Sequence, residues 1–308
     1  MIRPSISVIL STFNPRRDLF DRVVDAVARQ TAPHDKFELI VVDNNSAPPL
    51  SSEDIERRFA NRFALVREPR QGLVHARAAG IAASAADLFC FVDDDNILEE
   101  DYLETALRIA ADEPDLGVFG GRAIAAPEKP IGPGLAAFLP YFGVNDQGDR
   151  ALTGAGDRLG PWTPIGAGLC ARRVVAEAFG AFAERSQDAL GRTGRSLMSG
   201  EDTLFSLFAH QAGLKAGYRP ALSLQHVMTA DRLTMAYLAR LMEGHGRSRV
   251  ILAGMMDVGD ETDPAATSFS DIALNAARRL KGHGFLRAYG MYFWDRGRRR
   301  QKEATRSD

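Results

Sequence analysis

Cysteine is scarce in this chain: Cys90 and Cys170 are the two in 308 residues, and both stand in apolar surroundings. Two thiols so placed make neither a disulfide framework nor a zinc spacing, and a reducing compartment is expected. Long hydrophobic runs are missing as well. No uncharged apolar stretch reaches the ~18 residues of a membrane span, and Met1-Ile2-Arg3-Pro4 leads into a strand without the apolar region of a signal peptide. A cytoplasmic chain is the expectation. Also absent are a G-x-G-x-x-G after the first strand and a G-x-x-x-x-G-K-[ST] anywhere, so neither a dinucleotide fingerprint nor a P-loop is supported.

What is present describes an ordinary globular protein. Hydrophobic residues make up 45% and charged residues 25%, which excludes a disordered chain, and 308 residues allow one large or two small domains. The net charge of −2 is unevenly placed. From Arg278 onward there are ten Lys/Arg against three Asp/Glu, a net +7, which leaves −9 for residues 1–277. A basic surface alone is a weak signal for nucleic acid, and no nucleic-acid partner is expected. In the tail, Phe285, Leu286, Tyr289, Tyr292, Phe293 and Trp294 adjoin Arg296, Arg298, Arg299, Arg300 and Lys302. Aromatics beside clustered cations suit an interfacial helix at the inner face of a membrane, and a terminal helix packed on its own domain is the alternative.

Hydrophobic patterning gives strands alternating with helices. Ile6 to Leu10 reads as a strand broken by Ser11-Thr12-Phe13-Asn14-Pro15, with Asn14 as the expected N-cap of a helix carrying Leu19, Phe20, Val23, Val24 and Val27. Phe37 to Val42 is a second strand ending in Asp43, Ser51 to Ala60 a polar helix, Phe63 to Arg67 a third strand and Leu73 to Ala86 an Ala-rich helix. The fourth strand, Phe89 to Val92, stops in Asp93-Asp94-Asp95-Asn96. This order implies right-handed βαβ units and a mainly parallel sheet, with ligands beyond the carboxyl ends of the strands.

The three consecutive acids are the most informative stretch. Alternation along a strand would project Asp93 and Asp95 the same way, and two carboxylates about 4 Å apart repel by roughly 4 kcal/mol at an effective dielectric of about 20. A divalent cation such as Mg²⁺ or Mn²⁺ removes that cost and prefers carboxylate and phosphate oxygens. The structural alternative is an acidic turn in which Asp95 or Asn96 caps a helix starting near Leu98.

Beyond it, a helix near Glu99 to Ala111 and a strand Leu116 to Phe119, closed by Gly120-Gly121, precede a Pro- and Gly-rich stretch, 125–164, that reads as a long loop. Its Phe138, Tyr141, Phe142 and Trp162 suit either a sugar face or simple burial. A helix from Arg172 to Phe179 follows. Ser199-Gly200-Glu201-Asp202 then opens a helix with Ser199 and Asp202 at capping-box spacing. Leu214 to Tyr218 and Ala221 to His226 read as two short strands, and Leu233 to Leu241 as a helix.

Ser-Val-Ile-Leu-Ser-Thr-Phe-Asn at 7–14, Val-Val-Asp-Asn-Asn-Ser at 41–46, Gln-Gly-Leu-Val-His-Ala-Arg at 71–77, Asp-Asp-Asp at 93–95 and Gly-Glu-Asp at 200–202 together resemble the family 2 glycosyltransferases, in that family's order and over roughly residues 5–230. The resemblance implies an α/β GT-A fold with a helical C-terminal extension. It implies a nucleotide-diphospho-sugar donor, a divalent metal (Mn²⁺ or Mg²⁺), a saccharide or lipid-linked acceptor, and inversion at the anomeric carbon. Thr12, Asp43 and Arg77 resemble the positions at the nucleotide site, although Ala78 stands where an asparagine is frequent. Asp93 resembles the acid near the donor ribose, with Asp94 near ribose or sugar, Glu201 at the substrate, Asp95 as metal ligand and Asp202 as general base. His226 resembles a histidine near the metal or diphosphate, with a packed strand-end histidine as the alternative. The expected domains are a catalytic domain, 1–230, made of a nucleotide-sugar half (1–122) and an acceptor half (123–230), and a basic helical extension, 231–308. A nucleotidyltransferase and a non-catalytic nucleotide-sugar-binding module are the competing readings.

Overall fold

The computed structural model describes residues 3–185, 192, 197–255 and 285–305. The chain divides into two compact units, one of residues 1–126, 143–187 and 201–227, the other of residues 127–142, 188–200 and 228–308.

The first unit is built on a sheet whose first half is parallel. β1 (Ile6–Thr12), β2 (Phe37–Asp43), β3 (Phe63–Arg67) and β4 (Leu88–Asp93) lie in the order β3-β2-β1-β4, and every residue of β1 and β2 is buried. Near-continuous apolar runs of this kind are what a sheet covered on both faces requires. One face carries Val8, Leu10, Leu39, Val41 and Val92 into a core with Phe20, Val23, Val24 and Val27 of α1 (Arg17–Ala28) and Leu103 and Ala106 of α4 (Tyr102–Asp112). On the other face Ile9 and Val42 pack against Gly80 of α3 (Leu73–Ala83), and Phe91 meets Phe205, itself stacked on Phe179. The parallel register pairs Thr12 with Asp43 and Ser11 with Asp93, so three strand ends finish level with one another.

Beyond β4 the pairing changes sign. β8 (Cys170–Arg172) runs antiparallel to β4 and to β6 (Leu116–Pro127), and β9 (Lys215–Met228) runs antiparallel to β5 (Asn96–Leu98) and β7 (Leu152–Ala155). The parallel expectation therefore holds for the first four strands only. β6 continues through Gly120-Gly121, and β9 through Pro220, where the sequence suggested strand ends. Part of the expected loop is ordered too, with α5 (Pro133–Ala136), a 3₁₀ turn at Leu139–Phe142 and β7.

Helix starts also depart from the sequence reading. Asn14 takes a positive φ of 48° ahead of α1 and does not cap it: its backbone N–H donates to the Ser46 hydroxyl, and its side-chain oxygen accepts from the Ala47 N–H. That ties the turn after β1 to the turn after β2. The polar helix is a single turn, α2 (Glu53–Glu56), and the helix expected from near Leu98 begins later, as α4 at Tyr102, with β5 ahead of it. α6 (Arg173–Arg185) and α7 (Glu201–Gln211) complete this unit. Both cysteines are buried free thiols, and burial pushes the Cys170 thiol up.

The second unit holds α8 (Met235–Met255) and α9 (Phe285–Thr305). Trp294 of α9 stacks within 16° of the His245 ring of α8, and Tyr141 meets Trp294 edge-on. Packing within the unit thus engages Trp294 of the basic tail, while residues 278–284 and 306–308 lie outside the described residues. Among the described residues no helix is long and apolar enough to cross a membrane.

Candidate functional site

The ends of β1, β2 and β4, the turn after β4, helix α3, the start of α7 and strand β9 supply the sequence-predicted residues, all within the first unit. Asp93 is the last residue of β4; the chain then turns through Asp94 and Asp95 before β5. That turn interrupts the side-chain alternation on which the expected pairing of Asp93 with Asp95 rests. Each of the three carboxylates takes its own partner. Asp93 lies 3.4 Å from Nη2 of Arg77, Asp94 accepts a short hydrogen bond from the Thr12 hydroxyl, and Asp95 Oδ2 lies 3.5 Å from Nε2 of His226. Asn96, not singled out by the motif reading, braces the turn: its side-chain oxygen accepts from the Asp93 N–H (3.2 Å) and its amide donates to Asp95 Oδ1 (2.9 Å).

Asp95 and His226 are brought together by the antiparallel register that sets Asn96 opposite His226, and the Val227 N–H donates to the Asp95 carbonyl. His226 Nδ1 lies 3.1 Å from the Gly143 carbonyl oxygen. A carbonyl only accepts, so Nδ1 carries the proton there, and a neutral ring would turn the Nε2 lone pair toward a carboxylate oxygen. That contact is favourable with a positive charge at it, either a second ring proton or a cation. One buried carboxylate and one imidazole oriented by a backbone carbonyl fit a divalent ion that takes its remaining ligands from water and phosphate. Among the described residues no cluster of three or more His, Cys, Asp or Glu could hold a metal by itself.

Asp43 is fully buried at the end of β2, and its two oxygens accept from the Ser46 and Leu50 N–H groups at 2.9 and 3.0 Å. It therefore shapes the turn after β2. The neighbouring Asn44 does the same for the next turn, donating to the Glu68 and Arg70 carbonyls and accepting from the Gly72 N–H.

Asp202 and Glu201 open α7. The capping box expected of Ser199 and Asp202 is replaced by other bonds: Asp202 accepts from the Gly166 N–H (3.1 Å) and from the Thr203 N–H (2.8 Å), while the Ser199 hydroxyl bonds His245 Nδ1 at 2.9 Å. Asp202 is half-buried. Glu201 is buried and lies 3.5 Å from Nη1 of Arg77. Arg77, expected beside the nucleotide, is enclosed, with its side chain 1% exposed, and Nη2 also lies 3.4 Å from the Gly166 carbonyl oxygen. Gly166 was not visible as a site residue in the sequence, because its role rests on a contact 89 positions from Arg77.

Residues 7–145 match the family model described as glycosyl transferase family 2. The Bacillus subtilis protein EpsH is 34% identical over 119 residues, which is 38% of this chain and 33% of that protein. The glycosyltransferase AglE of Haloferax volcanii is 31% identical over 105 residues, 33% of this chain and 34% of that protein. The matched region thus spans about a third of the length of these curated relatives. Among solved structures, the chain resembles the mannosyltransferase PcManGT from Pyrobaculum calidifontis in complex with GDP-Man and Mn²⁺, with a TM-score of 0.57 at 17% identity over 99% of this chain and 76% of that one. It also resembles S. aureus TarS 1-349 in complex with UDP-GlcNAc, with a TM-score of 0.53 at 12% identity over 98% of this chain and 92% of that one. At such identities the likeness establishes the fold, a GT-A arrangement of a central sheet flanked by helices with a helical C-terminal part.

Proposed function

From the match of residues 7–145 to glycosyl transferase family 2, we propose that this chain transfers a hexosyl group from a nucleotide-diphospho-sugar to the hydroxyl of a saccharide or lipid-linked acceptor, with inversion. The observation that carries the reading is Asp202: a half-buried carboxylate at the start of α7, held by two backbone N–H donors, in the same unit as the level strand ends of β1, β2 and β4. Each carboxylate oxygen has two lone-pair sites, so the two bonds leave it able to take a proton. Asp202 removes the proton of the acceptor hydroxyl, the oxygen attacks the anomeric carbon, and the nucleoside diphosphate departs from the opposite face. A single displacement of that kind inverts the centre. General-base help of this sort contributes typically about 10²- to 10⁴-fold.

The remaining residues divide the donor between them. Asp93 takes the ribose and Asp94, fixed by Thr12, takes ribose or sugar, while Asp43 holds the turn that borders the base. Asp95 and His226 would hold Mn²⁺ or Mg²⁺, and a bound cation neutralises the charge that grows on the departing diphosphate.

A screen of UDP- and GDP-sugars with Mn²⁺ or Mg²⁺ tests this. One donor is expected to turn over, to stop with chelator, to resume with metal, and to give a product of opposite anomeric configuration by NMR. Full turnover in excess chelator would remove the metal; a retained configuration would remove inversion. Donor binding without turnover would leave the binding-module reading, and release of pyrophosphate from a nucleoside triphosphate and a sugar phosphate would replace transfer by nucleotidyl chemistry.

A further inference from the structure

Arg77 bears a permanent charge in an enclosed position, and a buried cation is tolerated only when its partners compensate the lost hydration. Its partners come from three elements. Nη2 faces Asp93 of β4 at 3.4 Å, Nη1 faces Glu201 of α7 at 3.5 Å, Nη2 also faces the Gly166 carbonyl oxygen at 3.4 Å, and the guanidinium lies 5.6 Å from the centre of the Phe91 ring. The Gly166 peptide is gripped on both sides: its carbonyl faces Arg77, and its N–H donates to Asp202 Oδ2. A Cβ at residue 166 would stand 2.7 Å from Nη2 and 3.2 Å from Nη1, so the guanidinium packs flush on a glycine.

We infer that Arg77 is a positioning residue that sets the place of the Asp202 carboxylate through the Gly166 peptide and the adjoining Glu201, without touching the donor. The inference rests on the reading of Asp202 as the base. The three contacts need a planar fork that reaches several acceptors at once, which an ammonium does not offer. α3, which carries Arg77, packs through Gly80 on Ile9 and Val42 of the parallel strands. The base at the start of α7 is thereby referenced to the same rigid strands whose ends bear the other carboxylates. A displacement of about 1 Å at a reacting group costs on the order of 10²-fold in rate, so the clamp acts on turnover more than on donor affinity.

The test compares Arg77→Met, Arg77→Lys and Gly166→Ala, each alone and combined with Asp202→Asn. Turnover is followed with the nucleotide-sugar found by the screen, and affinity with whichever of UDP and GDP the wild type binds in Mn²⁺. Arg77→Met and Gly166→Ala are expected to lower kcat by about 10²-fold, Arg77→Lys by less, with donor KM and nucleotide Kd of Gly166→Ala within about 3-fold of wild type and those of the Arg77 variants, in which Asp93 loses a partner, within about tenfold. Each double variant is expected to be no slower than Asp202→Asn alone, because groups that act as a unit are not additive. A tenfold or larger rise in nucleotide Kd at unchanged kcat would return Arg77 to the donor site and overturn the inference, as would losses that multiply in the doubles. If Arg77→Met does not fold, Gly166→Ala decides, since it loosens the clamp without removing a charge. Full turnover by Asp202→Asn would remove the base assignment itself, a failure distinguishable from retained kcat in Arg77→Met beside an inactive Asp202→Asn.

Discussion

The two halves of the sheet do different jobs. In the parallel half, β3-β2-β1-β4, the strand ends carry Asp43, Asp93 and the following acids, and the protein itself engages several of them: Asp43 holds the turn at 46–50, and Asp94 is tied to Thr12. The antiparallel half has few acids of its own at the site, yet its register sets His226 opposite Asn96, next to Asp95, and the segment leading into β8 provides the Gly166 N–H that holds Asp202. The parallel half supplies the strand-end carboxylates and itself engages Asp43 and Asp94, while the other half and the segment leading into it supply what Asp95 and Asp202 face. The candidate site therefore draws on both halves, and variants on either side should separate the two contributions.

The largest effect is expected at Asp202. Asn retains the shape and a side-chain oxygen but does not take a proton, so Asp202→Asn should lose at least about 10²-fold in transfer while nucleotide and metal binding persist. The fold should survive, as thermal unfolding will report. Near wild-type transfer would move the base elsewhere, with Glu201 the next candidate. A smaller loss is expected from the antiparallel side: His226→Gln keeps a polar side chain but removes the imidazole beside Asp95, and Mn²⁺ affinity measured with bound UDP or GDP should fall by about 10- to 100-fold. An unchanged affinity would leave His226 as a packed strand residue.

The same division explains what the sequence could and could not tell. β1, β2 and β4 are apolar runs bounded by Asn, Asp and Pro, and local patterning identifies them because their burial on both faces is written residue by residue. β6 and β9 are not legible in that way. Gly120-Gly121 and Pro220 look like endings, and only the neighbouring strand reveals that the ladder passes through them. At the site, the acids were visible one by one, but the direction each faces was not: the turn at Asp94 and Asp95 reverses the simple alternation, and Gly166 has no motif to announce it. The sequence marks Arg77 as a site residue but not its enclosure or its two carboxylate partners, which are contacts across sequence separation.

A pair of glycines offers a test of stability between the halves. A Cβ on Gly121 of β6 would meet the Leu222 carbonyl oxygen at 2.0 Å and the Arg219 carbonyl oxygen at 2.6 Å, both backbone atoms of the adjacent strand β9. The ladder would have to shift, and Gly121→Ala should cost about 2 kcal/mol in a urea titration. A Cβ on Gly80 of α3 would meet Ile9 Cγ2 at 2.4 Å, the branch methyl of a buried side chain, and not backbone. Overpacking there is partly offset by the roughly 1 kcal/mol that Ala gains over Gly inside a helix, so Gly80→Ala should cost about 1 kcal/mol, less than Gly121→Ala. Equal costs would show that the two halves are equally intolerant of an added methyl group.

The smallest effect concerns Glu113 and Arg219, an ion pair in the antiparallel half. Arg219 is buried in β9 and also donates to the Leu152 carbonyl (2.8 Å) and the Thr153 hydroxyl (2.9 Å), while Glu113, before β6, is partly exposed. The hydrogen-bonded Arg219 guanidinium holds the Glu113 carboxyl below the usual carboxylate range, against the opposing pull of partial burial. A depressed folded-state pKa stabilises the protein above the unfolded value of about 4.3, and the contribution is lost as pH falls through the folded value. Solvent screens a carboxylate this exposed, so Glu113→Gln should cost less than about 1 kcal/mol at neutral pH. The gap between wild type and variant should narrow in acid, because the wild type is protonated there and the variant has no charge to lose. Urea midpoints at neutral pH and below the folded value will show whether it does; a gap that stays constant would mean that shape, and not charge, is what Glu113 contributes to this end of the sheet.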